Sequence, residues 1–375
     1  MTAATEPRAI PFFNYKGAFS AREDEYVSIF RDTIHRGAFI QQRDLHDFEH
    51  HLAEYLGVKH AIGVGNATDG LVMAWRSAGL VAGDEVIFPS HTMVASPASI
   101  VHAGGIPVPV DCGDDHLIDP TAIEAAITSR TRAIMPVQLN GRTANMDRIQ
   151  EVAARYGLFI LEDSAQALGS QFKGRFAGTF GRAGVFSFYP AKLLGCFGDG
   201  GAVVTNDDEI ARKVLLLRDH GRDDTGEVVT WGFNSRLDNL QAAILDLQFR
   251  DYDVIITHRR ELAAAYQEQL GDLGEVDLPP APDADSDHFD VFQNYEIEAD
   301  RRDELRRALA AQGIGTIIQW GGKAVHQFAA LGLNRSLPRT DRLFERCLML
   351  PMNMMVSLDD VGFVCSHVRR FYRGE

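Results

Sequence analysis

The strongest constraint on this chain is a regular alternation running from residue 60 to residue 163. Short apolar runs alternate with amphipathic stretches: "AIGVG", a helical segment from Asp69 to about Gly79, "DEVIFPS", "MVASPASIVHAG", "IPVPVD", "PTAIEAAIT", "AIMPVQLN", "MDRIQEVAARYG" and "LFILED". Strands separated by helices of this length predict a mostly parallel sheet covered on both faces, an α/β fold. Two helical stretches precede the alternation, "SAREDEYVSIFRDTIHRG" ending at Gly37 and "RDLHDFEHHLAEYLGV" ending at Gly57. Beyond it, "GVFSFYP" and "GAVVTND" read as strands flanking a glycine-rich loop, and a long helical region starts at Asn239. After the surface connection "LPPAPDADSD", the strand "VFQNYEIEA", the helix "RRDELRRALAAQG", the apolar run "IGTIIQW" and a last helix make a smaller α+β domain. The expected division is residues 1–250 for an N-terminal segment and a large domain, and 251–375 for a connecting helix and a small domain.

Length and composition agree. A chain of 375 residues with 45% hydrophobic content can bury a large core in two domains. With 24% charged residues and no low-complexity stretch, disorder is expected only in the opening MTAATEPR. There is no apolar signal core and no uninterrupted apolar run approaching the length of a membrane span, so a cytoplasmic protein without membrane partners is expected. The net charge of −15 argues against nucleic acid as partner. Cys112, Cys196, Cys347 and Cys365 form no CxxC pair; they read as reduced, mostly buried thiols, with no metal site.

Three segments carry chemistry. "LFILEDSAQALG" ends an apolar strand in Glu162 and Asp163, and ligands in open α/β sheets sit beyond the carboxyl ends of strands. "GVFSFYPAKLLGCFGDGGAVVTND" sets Lys192 among Ser187, Tyr189 and the glycines 195, 198, 200 and 201; glycines permit positive φ and close backbone approach to a ligand. "GVGNATDG" leads a strand into a helix through small residues, a turn suited to phosphate. It is no dinucleotide fingerprint: Gly63 and Gly65 fit G-x-G-x-x-G, but Thr68 stands at the third glycine. A nicotinamide oxidoreductase is therefore poorly supported.

A phosphate turn, an acid at a mid-chain strand end and a lysine about 30 residues later resemble fold-type-I enzymes that use pyridoxal phosphate (PLP). That chemistry needs a lysine amine to hold the cofactor, an acid to keep its ring nitrogen protonated, and hydroxyl and backbone N–H groups for its phosphate. The wording "EYLGVKHAIGVGNATDGL", "GDEVIFPSHT", "LEDSAQALGS", "FSFYPAKLLGCFGDGGAVVTND", "GFNSRLDNLQAAIL" and "LMLPMN" resembles, over nearly the whole chain, the DegT/DnrJ/StrS nucleotide-sugar aminotransferases. The resemblance implies a large domain with a mostly parallel mixed sheet flanked by helices and a smaller α+β domain. It implies that Lys192 holds PLP as a Schiff base and that Asp163 pairs with the ring nitrogen. Gln166 stands near the ring's 3-oxygen, and Thr68 and Ser187, with the backbone at Ala67 and Asp69, take the phosphate. Asn234 reaches the phosphate from the neighbouring subunit, implying a homodimer with shared active sites; Arg236 lies beside it. His326 falls where the family places a substrate-contacting histidine.

The chain departs from the family where substrate is expected. Met93 replaces the aromatic residue that stacks on the ring, with His91 nearby; Asn140 replaces an aromatic in "QLNG"; Gln319 and Trp320 stand in "IIQWGGKAVHQ". Tyr189 completes the candidate substrate residues. A related branch carries histidine at the lysine position and dehydrates; Lys192 favours amine transfer. The reading is transfer from L-glutamate to a nucleotide-linked keto-sugar, TDP-4-keto-6-deoxy-D-glucose aminated at C4. The alternatives are a TDP-3-keto-6-deoxyhexose aminated at C3 and a keto-cyclitol of the inosose type. A PLP-binding regulator is the contrasting class, opposed by the acidic charge and the absence of an appended helix-turn-helix pattern.

Overall fold

Three helices open the described chain, which covers residues 8–374 in a computed structural model: α1 (Tyr15–Ser20), α2 (Glu23–Arg36) and α3 (Arg43–Leu56). Of the MTAATEPR segment, residues 1–7 lie outside the described residues; Arg8 is held by Asp359 and Asp360 near the C-terminus. The alternation follows as β1 (His60–Val64), α4 (Ala67–Ser77), β2 (Glu85–Pro89), α5 (Ala95–His102), β3 (Ile106–Val110), α6 (Pro120–Ala126), β4 (Thr131–Ile134), α7 (Met146–Tyr156) and β5 (Phe159–Asp163). A short hairpin, β6 (Gln171–Phe172) and β7 (Arg175–Phe176), leads into β8 (Ala183–Ser187) and β9 (Gly201–Thr205).

These strands form one seven-stranded sheet in the order β1-β9-β8-β5-β4-β2-β3. The pairs β3–β2, β2–β4, β4–β5 and β5–β8 are parallel. Strand β9 runs against both of its neighbours, β8 and β1. The sheet is the expected mostly parallel, mixed one, and its strands are buried on both faces, as helical cover requires. Burial of Leu71, Met73, Trp75, Val86, Phe88 and Val203 ties α4 to one face; Ile87, Ile134, Ile149 and Ile160 tie α7 to the other.

The second half differs more from the sequence reading. Helix α8 (Asp208–Arg218) follows β9, started by Asp207, whose carboxylate accepts from the N–H groups of Glu209 and Ile210. The long helical region from Asn239 is two helices, α9 (Asn239–Phe249) and α10 (Tyr252–Leu270), because Asp251 leaves helical geometry and pairs with Arg22 at 2.9 Å. The expected strand "AIMPVQLN" stops at Ile134: Pro136 has no N–H to give a ladder, and the chain turns through Leu139–Gly141.

The smaller unit pairs β10 (Val276–Asp277), β12 (Tyr295–Ala299) and β13 (Cys347–Leu350), while β11 (His288–Phe289) joins the hairpin β6–β7. Helices α11 (Arg302–Ala311), α12 (Pro338–Arg346) and α13 (Leu358–Arg373) complete it. Its core holds Leu262, Tyr266 and Leu270 of α10, Tyr295 and Ile297 of β12, and Val361, Val364 and Val368 of α13. Each such large side chain contributes about 1.5–3 kcal/mol when fully buried. Ile10 belongs to this core, so the N-terminal segment crosses to the small unit before the large one begins. The four cysteines are buried, and among the described residues no helix is long and apolar enough to cross a membrane.

Candidate active site

The carboxyl ends of β5 and β8 lie side by side, Asp163 opposite Val185, and the loop after β8 carries Lys192. The N-terminus of α4, the loop after β2 and the loop after β5 open at the same edge. Together they bring Ala67, Thr68, Met93, Asp163, Gln166, Ser187, Tyr189 and Lys192 to one cleft of about 590 Å³. The small unit closes it with Gln293, Asn294, Gln319 and Trp320, and the N-terminal segment adds Phe12 and Phe13.

Lys192 and Asp163 oppose each other electrostatically. Burial pushes the Lys192 amine down to about 8, against the charge of Asp163, which favours the ammonium form. Burial likewise raises the Asp163 carboxyl; Ser96, the Ala165 N–H and Lys192 pull it back. Ser96 Oγ donates to Asp163 Oδ2 at 2.7 Å, and the Ala165 N–H donates to Oδ1 at 3.1 Å. Thr92 Oγ1 lies 2.7 Å from Ser96 Oγ and extends the chain.

Glu162, the adjacent acid, faces the other way, as the two-residue period of a strand demands. Its carboxylate accepts from Gln138 Nε2 at 2.8 Å and from the N–H groups of Gly178, Phe180 and Gly181 at 2.6–2.9 Å. It is a buried acid closing a turn, outside the cleft.

At the start of α4, Asn66 is the cap: its Oδ1 accepts from the Asp69 N–H at 2.8 Å, and its Nδ2 donates to the Asp69 carboxylate at 3.0 Å. That leaves the N–H groups of Ala67 and Thr68 free for an anion at the positive end of the helix. The turn sits tight on β9: a Cβ at Gly201 would stand 2.8 Å from the Ala67 nitrogen. Close approach, not positive φ, is therefore what Gly201 provides here.

The other candidate residues sit elsewhere. Asn140 is one bond behind the cleft; its N–H donates to Gln166 Oε1 at 2.8 Å, and its side chain meets Glu296, Asn294 and Gln319. His91 is fully buried behind Met93, edge-on to Trp320 and 3.4 Å from Glu296. His326 is buried between Ser90 Oγ at 2.7 Å and Asp341 at 3.0 Å. Arg236 is paired with Asp219, and Asn234 is exposed on the same segment, which runs beside Val64 and Gly65 just before the turn into α4. Gln293, Phe12 and Phe13 are cleft residues, and Ser96 a buried partner of Asp163, that the sequence reading did not single out. Ser96 alone left a signal, as a polar residue on the apolar face of "MVASPASI".

A buried lysine amine opposed to a buried carboxylate above an anion-binding turn is the equipment of a group-transfer enzyme. The chain belongs to the DegT/DnrJ/EryC1/StrS aminotransferase family, whose pattern matches residues 21–369. It is 40% identical to the dTDP-3-amino-3,4,6-trideoxy-alpha-D-glucose transaminase of Streptomyces venezuelae, over 94% of this chain and 93% of that protein. It is 36% identical to the UDP-N-acetyl-3-dehydro-alpha-D-glucosamine 3-aminotransferase of Acidithiobacillus ferrooxidans, over 99% and 100% of the two chains. The fold is similar to that of NtdA from Bacillus subtilis, solved with bound cofactor PMP: TM-score 0.90, 27% identity, 99% of this chain and 86% of that one. This chain is an aminotransferase of that fold.

Proposed function

We propose that the chain uses PLP to move an amino group from L-glutamate to C3 of a TDP-linked 3-keto-6-deoxyhexose. The observation that carries the reading is the buried Lys192 amine facing Asp163 in one cleft. The residues present fit the cofactor. Lys192 would hold it covalently, Asp163 would pair with its ring nitrogen, and Thr68, Ser187 and the free N–H of Ala67 would take its phosphate. When bound, PLP supplies an electron sink for the carbanion formed at the amino acid's α-carbon. The amine of Lys192, brought down to about 8, is the group in the cleft suited to take a proton from that carbon and to deliver one to the sugar carbon that receives the amine. Phe12, Met93, Ile317 and Trp320 give the cleft an apolar wall.

The choice of carbon changes from the sequence reading. The sequence placed the amine on C4, with C3 as an alternative. The relatives at 40% and 36% identity both carry the 3-position in their names, on different nucleotides, and C3 is the reading they support. Incubation with glutamate and a panel of TDP-3-keto and TDP-4-keto hexoses, with NMR location of the new amine, is expected to find it on C3. An amine on C4, or turnover only of a keto-cyclitol, would overturn that choice.

A homodimer completes the reading. Phe30 and Ile34 on the outer face of α2, then Phe39 and Ile40, and the almost fully exposed Trp231 three residues before Asn234, are large apolar groups facing solvent in the single chain. Exposed apolar surface of this kind marks an interface, and symmetric dimers are the commonest one. Sedimentation of the active enzyme is expected to give about twice the 41.4 kDa chain mass; a fully active monomer would refute it.

A further inference from the structure

We propose that Gln293 is a positioning residue for Lys192, holding the backbone on both sides of the lysine and so setting where the amine stands in the cleft. The Lys192 loop makes few bonds of its own; the lysine N–H donates to the Tyr189 carbonyl at 2.8 Å. Gln248 and Gln241 hold the loop farther on, at the Gly195 carbonyl and the Phe197 N–H, and Gln293 supplies the bonds on either side of the lysine. Its Nε2 donates to the Ala191 carbonyl at 2.8 Å, and its Oε1 accepts from the Leu193 N–H at 2.9 Å. One side-chain amide thus brackets Lys192, and the bracket needs both a donor and an acceptor. Glutamate lacks the donor, and leucine, of similar size, lacks both.

The amide is itself fixed from several directions. The Gln293 carbonyl accepts from Arg259 at 3.2 Å. Phe292 stands at φ +51°, a left-handed conformation that an aromatic residue keeps only where its surroundings enforce it. Those surroundings are the turn at Gly141, φ +89°, where a Cβ would stand 2.5 Å from the Gln293 nitrogen. The Val291 N–H and Ser170 Oγ both donate to the Gly141 carbonyl, at 2.9 and 2.6 Å. The following residue, Asn294, donates to Asn140 Oδ1 at 2.9 Å and reaches Gln166 Oε1 at 3.4 Å. Two consecutive residues entering β12 therefore grip the lysine loop on one side and the Gln166 floor on the other. The small unit is coupled to the amine through an amide, not through a charge.

The inference rests on the reading of Lys192 as the cofactor-holding residue, and the test keeps the two apart. Wild type, Gln293→Leu and Gln293→Glu are loaded with cofactor, and the visible cofactor absorbance is titrated with pH beside full kinetics. In the leucine variant kcat is expected to fall roughly 10- to 100-fold, the scale of an ångström's misplacement of a reacting group. KM for the sugar nucleotide should stay within about threefold, since both polar atoms of the Gln293 amide are taken up by the lysine loop. The titration midpoint should move by at least about half a pH unit as the amine's surroundings change. The glutamate variant keeps the Leu193 contact and should lose less in kcat, with a midpoint displaced upward by the added negative charge. If the leucine variant fails to fold, the glutamate variant decides alone. A midpoint and kcat at wild-type values in whichever variant folds, with only thermal stability lowered, would overturn the proposal. Failure of wild type to show any lysine-dependent visible band would instead remove the reading beneath it.

Discussion

Replacement of Lys192 by alanine is expected to abolish amine transfer, with a loss of at least about 10⁴-fold in turnover. The variant should also lack the visible absorbance that the wild-type protein acquires on incubation with PLP. The size of the effect follows from two duties resting on one amine: holding the cofactor and moving a proton at the reacting carbon. Among the described residues lining the cleft there is no second lysine to take over. Borohydride treatment of the loaded wild type is expected to leave a mass increment on the peptide carrying Lys192 and none in the variant. The amine's environment adds a pH signature. A lysine in water stays protonated to about pH 10, whereas burial brings Lys192 to about 8. Only the free amine is nucleophilic, so the rate at which the cofactor-free protein takes up PLP should rise with pH through about 8 and level off above it. A rate that climbs only near pH 10 would mean that the amine is solvated. Retention of transfer in Lys192→Ala within about tenfold of wild type would refute the whole assignment.

The alternation between residues 60 and 163 was legible because each strand is apolar on both faces and each helix shows its period. Those local patterns carry the topology of a covered parallel sheet. Motif wording then marked residues from Ala67 to Trp320 that the fold draws into one cleft. What was not legible depends on contacts between distant segments. Ser96 reaches Asp163 across 67 positions, and Gln293 reaches Leu193 across 100; neither pairing leaves a local trace. The Phe12–Phe13 wall exists because Asn353 holds the Pro11 and Phe12 carbonyls, at 2.8 and 3.2 Å, and because Arg8 is tied to α13. Histidines were the least readable. His91 and His326 lie beside the motifs, yet their rings are packed against Glu296, Ser90 and Asp341, away from the opening. Gln319 is held by packing as well. Its amide donates to Glu296 and Asn140 inside the wall, a pairing between distant segments that its wording does not show.

Asp163→Asn is expected to separate binding from chemistry. Asparagine keeps the size of the side chain and can still accept from the Ala165 N–H, so the fold and the Lys192 loop should survive. What it removes is a negative charge in a place with little water. Burial raises the Asp163 carboxyl, yet Ser96, the Ala165 N–H and the Lys192 ammonium all favour its ionised form. An ionised acid there can hold a proton on a cofactor ring nitrogen; a neutral amide cannot. The expected outcome is a loaded protein that keeps its lysine-dependent visible band while turnover falls on the order of 10²–10³-fold, the scale of removing one preorganised electrostatic partner. Ser96→Ala should follow in the same direction with a smaller loss, since it releases one of the two bonds that orient the carboxylate. The pattern matters more than either number. Lys192→Ala should lose band and turnover together, Asp163→Asn turnover alone. An Asp163→Asn enzyme within about tenfold of wild type would mean that the acid serves the loop and not the ring. The apposition of amine and carboxylate would then be packing rather than catalysis.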